Sequence, residues 1–185
     1  MKNLIYTMAI IAIWWVLTGA SISGELRVPT TKIEKSIKKL KIGDNVIMKS
    51  VIGISADMSQ SEIFELQSEA GIIGYVYVSR LNSCRAEGCS ADPTAKVDNY
   101  EYFDYYLITD QSGKVLNVKV YNYQATHGHQ VMSRGWLKQF VGYNSSQELN
   151  YGQDIQAISG ATISARAITN DVVRAEELII GIINN

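Results

Sequence analysis

The sequence predicts an α+β domain, built from an antiparallel sheet, a short helix and a long C-terminal helix. Between residues 46 and 123, short segments of β-forming residues alternate with turn residues. Strands followed by helices in this order favour an antiparallel α+β arrangement over a doubly wound one. No Gly-x-Gly-x-x-Gly opens a helix after a strand, so a dinucleotide-binding fold has no support. Near the C-terminus, apolar residues recur at spacings of four, three, four and three, as on one face of a helix: Ile168, Val172, Ala175, Ile179 and Ile182.

Length and composition suit one globular domain with a short leader. The chain has 185 residues, of which 46% are apolar, enough for one hydrophobic core. The formal net charge is −1, so no overall positive field favours a nucleic-acid partner. We divide the chain into a leader segment at residues 1–23, a leader helix at 24–45 and a main domain at 46–185.

An apolar run at residues 4–19, preceded by Lys2 and followed by small residues, predicts a secretory signal peptide. Cleavage after Ala20 or after Ser23 fits this pattern. The alternative is an uncleaved membrane anchor, with Trp14 and Trp15 near an interface. Both interpretations place the main domain outside the cytoplasm, in the periplasm or on the outer face of the cytoplasmic membrane. Basic residues after the run weigh against the anchor, because cytoplasmic flanks are usually the positive ones: Arg27, Lys32, Lys35, Lys38, Lys39 and Lys41.

The leader helix is predicted at residues 29–41, with Thr30 or Thr31 as its cap and Ile33, Ile37 and Leu40 as its apolar stripe. A strand is predicted at 46–54 and a loop at 55–61. A hairpin follows, with strands at 63–66 and 72–78 around a turn at 68–71. In its second strand, Tyr75 and Tyr77 share one face, and Val76 and Val78 share the other.

A long polar loop is predicted at residues 80–99, and it carries both cysteines of the chain, Cys84 and Cys89. In an exported protein, a disulfide closing this small loop is the default prediction. A redox pair that communicates with a cofactor is the alternative. Two thiols do not complete a tetrahedral zinc site.

The clearest hairpin has strands at residues 100–109 and 114–123 around the turn Asp-Gln-Ser-Gly. In the second strand Val118 and Val120 share a face. A polar loop at 124–134 then leads to a short helix at 136–141, which Gly142 ends. Three apolar side chains of that helix are predicted to pack in the core: Trp136, Leu137 and Phe140.

Ser159-Gly160-Ala161-Thr162 lies where the C-terminal helix begins. Unpaired N–H groups and the positive end of the helix dipole favour an anion there, and Gly160 allows a positive φ or the close approach of a ligand. In a purely structural interpretation, Ser159 or Thr162 is only an N-cap. Polar residues of the helix are predicted to lie mostly off its apolar stripe: Asn170, Asp171, Arg174, Glu176 and Glu177.

Ser-Gly-Ala-Thr opening a terminal helix resembles the flavinylation motif of the FMN-binding domain family. That family includes the C subunit of the Na⁺-pumping NADH:quinone reductase and the G subunit of the Rnf complex. The resemblance implies that Thr162 carries FMN through a phosphoester to its hydroxyl, attached by a flavin transferase of the ApbE type that uses FAD. The chain departs from the motif at Gln156, where the family usually has Asp; the nearest acid is Asp154.

A second stretch extends the resemblance. The family has a Gly-Lys-type turn, a Glu-Thr-Pro-Gly-Leu-Gly loop and a Trp-x-x-x-Phe helix, and the chain has Gly113-Lys114-Val115, Ala125-Thr126-His127-Gly128-His129-Gln130 and Trp136-Leu137-Lys138-Gln139-Phe140 in that order. Thr126 and Gly128 are retained, whereas Ala125, His127 and His129 replace Glu, Pro and Leu. The chain also resembles small exported bacterial FMN-binding proteins, through Ser133-Arg134-Gly135-Trp136-Leu137-Lys138-Gln139-Phe140-Val141-Gly142 and Gly160-Ala161-Thr162-Ile163-Ser164-Ala165-Arg166. The resemblance covers roughly residues 70 to 180, and implies that the main domain at 46–185 is an FMN-binding domain.

The resemblance implies that FMN is bordered by Ser159, Gly160, Ala161, Thr126, His127, Gly128 and His129. Considered alone, His127 and His129 at i and i+2 of an extended segment would point the same way and could suit a metal. No Asp, Glu or Cys lies close by in sequence to complete a ligand set, so no metal site is predicted. Solvated loop residues are the remaining alternative for the two histidines.

The expected function is that of an extracytoplasmic electron-transfer protein carrying FMN on Thr162. Its partners would be the flavin transferase and redox partner proteins or a membrane electron-transfer complex. No catalytic acid–base set is visible, which favours an electron carrier over a self-contained enzyme. One alternative is a non-covalent flavin-binding or sensory domain of a redox complex; another is a flavin-linked reductase.

Overall fold

The computed structural model describes residues 26–51, 60–85 and 100–185. The leader segment at 1–23 and the side chains of the predicted Cys84–Cys89 disulfide lie outside this description, as does most of the predicted loop at 55–61. None of the helices in the described ranges has the length and apolar character needed to cross a bilayer.

The described residues confirm the α+β prediction. Five antiparallel strands form a meander in the order β1-β2-β3-β4-β5, so strands that are consecutive in the sequence are neighbours in the sheet. Short 3₁₀ helices at His129–Met132 and Lys138–Phe140 flank helix α2. The strands and helices are α1 Thr30–Leu40, β1 Ile47–Ser50, β2 Ser61–Ser68, β3 Gly71–Arg85, β4 Tyr100–Asp110, β5 Val115–Tyr123, α2 Arg134–Leu137 and α3 Thr162–Ile183.

The sheet has a hydrophobic core on each face, as the alternation in β3 predicts. Tyr75 and Tyr77 face the larger core, which contains the buried side of α3 and the 129–140 helices. Val76 and Val78 face a smaller core that α1 covers with Ile33 and Ile37. The second strand of the first hairpin is longer than predicted, because β3 pairs with β4 as far as Arg85. The prediction of loop at residues 80–85 is therefore wrong.

The N-terminal cap of α1 differs from the prediction. Helix α1 begins after Pro29, and no side chain of the described residues caps it, so Thr30 and Thr31 are not its caps. The helix ends at Lys41 in the left-handed conformation, whose N–H donates to the carbonyls of Ile37 and Lys38. The helix therefore ends where the predicted range of 29–41 ends.

The apolar stripe of α3 is buried as predicted as far as Ile179, with Ile182 partly buried, but Asp171 and Glu176 are buried with it. Asp171 accepts hydrogen bonds from the hydroxyls of Tyr105 at 2.8 Å and Tyr77 at 3.2 Å. Glu176 accepts one from the N–H of Ser145 at 2.9 Å. These hydrogen bonds offset the cost of burying the two carboxyl groups. The prediction that Asp171 and Glu176 lie off the buried side of the helix is therefore wrong.

Burial of the Asp171 cluster shifts its acid–base equilibria. Burial, together with the nearby carboxylate, raises the pKa of Tyr77 to about 12 and that of Tyr105 well above its usual range. Burial also raises the pKa of Asp171 itself, and the hydrogen bonds it accepts only partly oppose this shift. The cluster ties α3 to strands β3 and β4 through polar side chains.

Candidate functional site

Thr162 is the first residue of α3, and its side chain is exposed. The first hydrogen bond of the helix runs from the N–H of Ala165 to the carbonyl of Ala161 at 2.9 Å. The N–H groups of residues 162–164 therefore have no acceptor within the helix. Ala161 occupies the N-cap position and no side chain of the described residues caps the helix, so the interpretation of Ser159 or Thr162 as an N-cap is wrong.

Gly160 turns the chain into the helix. It adopts a φ of +77°, a conformation that other residues take only with strain. The N–H of Ala161 closes the turn on the carbonyl of Ile158 at 3.3 Å. The turn therefore leads directly into the N-terminus of the helix, whose N–H groups can bind an anion.

A cleft of about 180 Å³ joins this helix start to the loop that follows β5. One wall is the helix start and the other is the backbone around Gly128. The structure thus brings together two segments of the sequence that the resemblance linked to one ligand. The lining residues are His127, Gly128, Gly160, Ala161, Thr162, Ile163 and Ser164.

Tyr123, the last residue of β5, holds the two walls together. Its hydroxyl lies 3.0 Å from the Ser164 hydroxyl and hydrogen-bonds to the carbonyl of His127. The Ser164 hydroxyl, buried in the first turn of α3, also bonds to Ser83 of β3 at 2.7 Å. A Cβ atom at Gly128 would lie 2.5 Å from the Tyr123 oxygen and 2.9 Å from that of Ser164. The loop can therefore approach the helix this closely only with glycine at residue 128.

Three of the residues expected at the flavin do not line the cleft. Ser159 is exposed before the turn. Thr126 hydrogen-bonds through its N–H and hydroxyl to the carboxylate of Glu101, and its hydroxyl is the main reason that the pKa of Glu101 is lowered. His129 packs its ring on Tyr123 with 4.7 Å between centroids. These three residues are therefore not part of the cleft lining.

The two histidines are not in an extended segment. Gly128 has a φ of +93° and His129 begins a 3₁₀ helix, so the chain bends between His127 and His129. The expectation that the two histidines point the same way rested on an extended segment, which the structure does not have there. The described residues contain no group of three or more His, Cys, Asp or Glu side chains that could hold a metal ion. His127 lies in the cleft wall, where it can contact a ligand.

The segment before the Ser-Gly-Ala-Thr motif is fixed by its backbone. The carbonyl of Gln156 accepts a hydrogen bond from the indole N–H of Trp136 at 2.7 Å, and its N–H donates to the amide oxygen of Gln139 at 2.9 Å. Trp136 is buried as predicted, so the core itself anchors this segment. Gln156 itself is exposed. The nearby carboxylate of Asp154 accepts a hydrogen bond from the N–H of Asn150 in a tight turn.

Sequence reasoning missed Tyr123, Ser164 and Ser83. Ser164 lines the cleft, and the hydroxyls of Tyr123 and Ser83 hydrogen-bond to it. Ser164 lies two residues after Thr162, so its position in the first helical turn was a signal that could have identified it. Tyr123 ends a predicted strand next to the loop, which is a weaker signal. Ser83 gave none, because it was assigned to a loop and lies 81 residues from its partner.

The model of the FMN-binding domain family matches residues 103–177. The chain carries an FMN-binding domain. The match runs from β4 through β5, α2 and most of α3, so it includes both walls of the cleft. No curated protein matches the chain.

The residues present fit the phosphate end of FMN. The unbonded N–H groups at the start of α3 and the positive φ of Gly160 suit an anion in close contact with the backbone. The cleft is smaller than the ~300–1,000 Å³ typical of ligand pockets, so these residues enclose only part of a flavin. A flavin supplies electron transfer, and the protein supplies its position and surroundings.

Proposed function

We propose that the protein is an extracytoplasmic electron carrier with FMN attached through a phosphoester to the hydroxyl of Thr162. The observation that carries the proposal is the placement of this exposed hydroxyl on the first residue of an uncapped helix, in the wall of the cleft. A phosphodiester keeps one negative charge after attachment. At this position the charge would be stabilised by the helix N-terminus.

The attachment reaction balances with FAD as the donor. The Thr162 oxygen forms a bond to the phosphorus of the FMN half, the pyrophosphate bond of FAD breaks, and AMP leaves with the hydroxyl proton. A flavin transferase of the ApbE type would catalyse this step, and it requires an accessible acceptor. Thr162 meets that requirement because its side chain is exposed and is not engaged as a cap.

The size of the cleft supports a covalent link. A ligand held by non-covalent contacts usually has most of its surface buried, whereas the described residues form a cleft of about 180 Å³. A phosphoester retains the cofactor without such enclosure and leaves part of it open to redox partners. Outside the cytoplasm, a lost cofactor could not be readily replaced.

The composition of the cleft supports a carrier over a self-contained enzyme. Among the described lining residues, His127 is the one with an ionisable side chain. The other lining residues are glycines, small or hydroxyl residues and Ile163, which position a ligand but offer no acid–base pair. The protein would exchange electrons with redox partner proteins or with a membrane electron-transfer complex.

Intact mass after denaturation tests the attachment. The full chain is expressed with and without a flavin transferase, as wild type, as Thr162→Val and as Ser159→Ala. We expect a gain of one FMN minus water only with transferase, lost in Thr162→Val and kept in Ser159→Ala, a matched control that removes a hydroxyl outside the cleft. No added mass in the wild type with its cognate transferase would refute the covalent proposal. The same spectrum shows whether a leader is removed, and cell fractionation tests the location.

A non-covalent flavin domain is the second candidate, and Gln156 favours it. This exposed residue replaces the acid that the family usually has before the motif. If the transferase needs that acid, Gln156→Asp should raise the fraction of modified protein. Flavin that co-purifies with the folded chain but separates on denaturation would support the second candidate instead.

A further inference from the structure

A basic groove of about 300 Å³ runs along the outer edge of β5, and the proposed function does not use it. Strand β5 is the last strand of the described sheet. Its edge forms the floor of the groove at residues 117–120, helix α1 forms one wall, and the 132–141 segment forms the other. The groove therefore has main chain at its base and a helical wall on each side.

Every charged side chain among the described lining residues is positive. The cations come from three separate parts of the chain: Lys35 and Lys39 of α1, Lys119 of β5, and Arg134 and Lys138 of the opposite wall. Burial and the surrounding cations, including Lys32, lower the pKa of Lys119. These charges repel one another without a compensating carboxylate in the lining, so an anionic occupant would be stabilised there.

The edge of β5 is already bonded at both ends of the groove. At one end, Val115 exchanges backbone hydrogen bonds with Gly142 and Tyr143 at 2.8 and 2.9 Å. At the other end, the ammonium group of Lys32 donates to the carbonyl of Tyr121 at 3.1 Å. Six residue steps separate these ends, about 20 Å of extended chain. The stretch of β5 between these two ends is long enough to pair with a short added strand.

From the edge strand and the two basic walls together, we infer that this groove binds an extended, acidic segment of a partner protein as an added strand of the sheet. Such a segment takes its main-chain hydrogen bonds from β5, and its alternate side chains reach the two walls. Carboxylates on both sides would meet Lys35 and Lys39 on one wall and Arg134 and Lys138 on the other.

Other occupants fit less well. A second copy of the chain would bring Lys119 against its own counterpart, and lysine on an edge strand is a common device against such self-pairing. That device needs one or two cations on the strand, whereas this groove collects five from three separate parts of the chain. A planar bilayer would contact the rims of the groove but not its floor. Exposed Met132 and Val141, 40% and 48% accessible, offer apolar contacts beside the charges.

The test uses the full chain and nonapeptides selected from a random displayed library. We expect the selected peptides to be rich in Asp and Glu and to bind more weakly as salt rises. Lys35→Glu/Lys39→Glu should weaken binding by about tenfold or more, as expected for reversing two contacting charges. The matched control Lys38→Glu/Lys41→Glu reverses two lysines outside the groove and should change binding less than about twofold. Lys138→Glu repeats the test from the opposite wall.

Amide hydrogen exchange separates strand addition from general charge attraction. A bound peptide should slow exchange at those residues within 117–119 of β5 whose N–H groups point away from β4, because these groups gain acceptors. The inference is overturned if selection yields no acidic peptides, or if the two double variants lose affinity equally. It is also overturned if tripolyphosphate binds as tightly as the peptides while the peptides leave exchange in β5 unchanged, since the groove would then be a small-anion site.

Discussion

Replacing Gly128 by alanine should separate the two walls of the cleft. Gly128 has a φ of +93° and lies against Tyr123 and Ser164. An alanine would be strained in this conformation, and its Cβ would lie 2.5 Å from the Tyr123 hydroxyl oxygen. Because Tyr123 extends from the end of β5 and packs on Phe103 with 5.5 Å between ring centroids, relief of the clash must move the loop or the tyrosine.

The size of the effect has two parts. A left-handed conformation costs an L-residue roughly 1–2 kcal/mol. Displacing the Tyr123 hydroxyl would break its hydrogen bonds to the His127 carbonyl and to Ser164, each worth about 1 kcal/mol net. We therefore expect Gly128→Ala to lower the free energy of unfolding by roughly 3–4 kcal/mol.

Gly152→Ala is the matched control. Gly152 has a φ of +87°, and a Cβ there would have no heavy atom within 4 Å, so its substitution carries the backbone strain without the clash. Equilibrium unfolding in urea measures both variants, and their difference should be about 2 kcal/mol. The fraction of FMN attached by the transferase should fall in Gly128→Ala alone. Equal losses of stability in the two variants would show that the contact with Tyr123 is not restrictive and would refute the reasoning.

Two further substitutions test the core behind the cleft. Burial raises the pKa of Asp171, so the folded state binds the Asp171 proton more tightly than the unfolded state does. This residue therefore makes the free energy of unfolding fall as pH rises from the ordinary aspartate pKa through the raised one. Asp171→Asn should remove that slope in urea titrations between pH 3 and 7 (roughly the range of carboxyl titration), and an unchanged slope would contradict the assigned pKa direction. Trp136→Phe should cost about 1 kcal/mol and slow FMN attachment, because the Gln156 carbonyl loses its 2.7 Å hydrogen bond. Phe140→Leu keeps that bond and serves as the control; equal slowing in both variants would assign the effect to packing alone.

Local patterns predicted most of the architecture. The second hairpin, the two faces of β3 and the start of α3 at Thr162 all follow from alternation, turn residues and helical spacing within a few residues of each position. The same rules failed at Asp171 and Glu176, which they treat as surface residues because of their charge. The donors that permit their burial lie on other elements, such as Tyr105 of β4, and no local pattern contains them.

The same contrast between local and distant information applies to the cleft. Each wall was predicted from its own short motif, since Gly160 and Gly128 both meet local backbone requirements with positive φ. Which residues face the ligand depends instead on how the loop docks on the helix. That docking is set by Tyr123 and by Ser83, which reach Ser164 from two other strands.

The docking also explains why three expected residues lie outside the cleft. Once Tyr123 holds the His127 carbonyl, the residues on either side of the His127–Gly128 pair are turned to other partners, Thr126 to Glu101 and His129 to the face of Tyr123. The resemblance in sequence covers the whole loop, but only the centre of the loop lines the cleft. In the proposed site, the part of this loop that lines the cleft is therefore the His127–Gly128 pair.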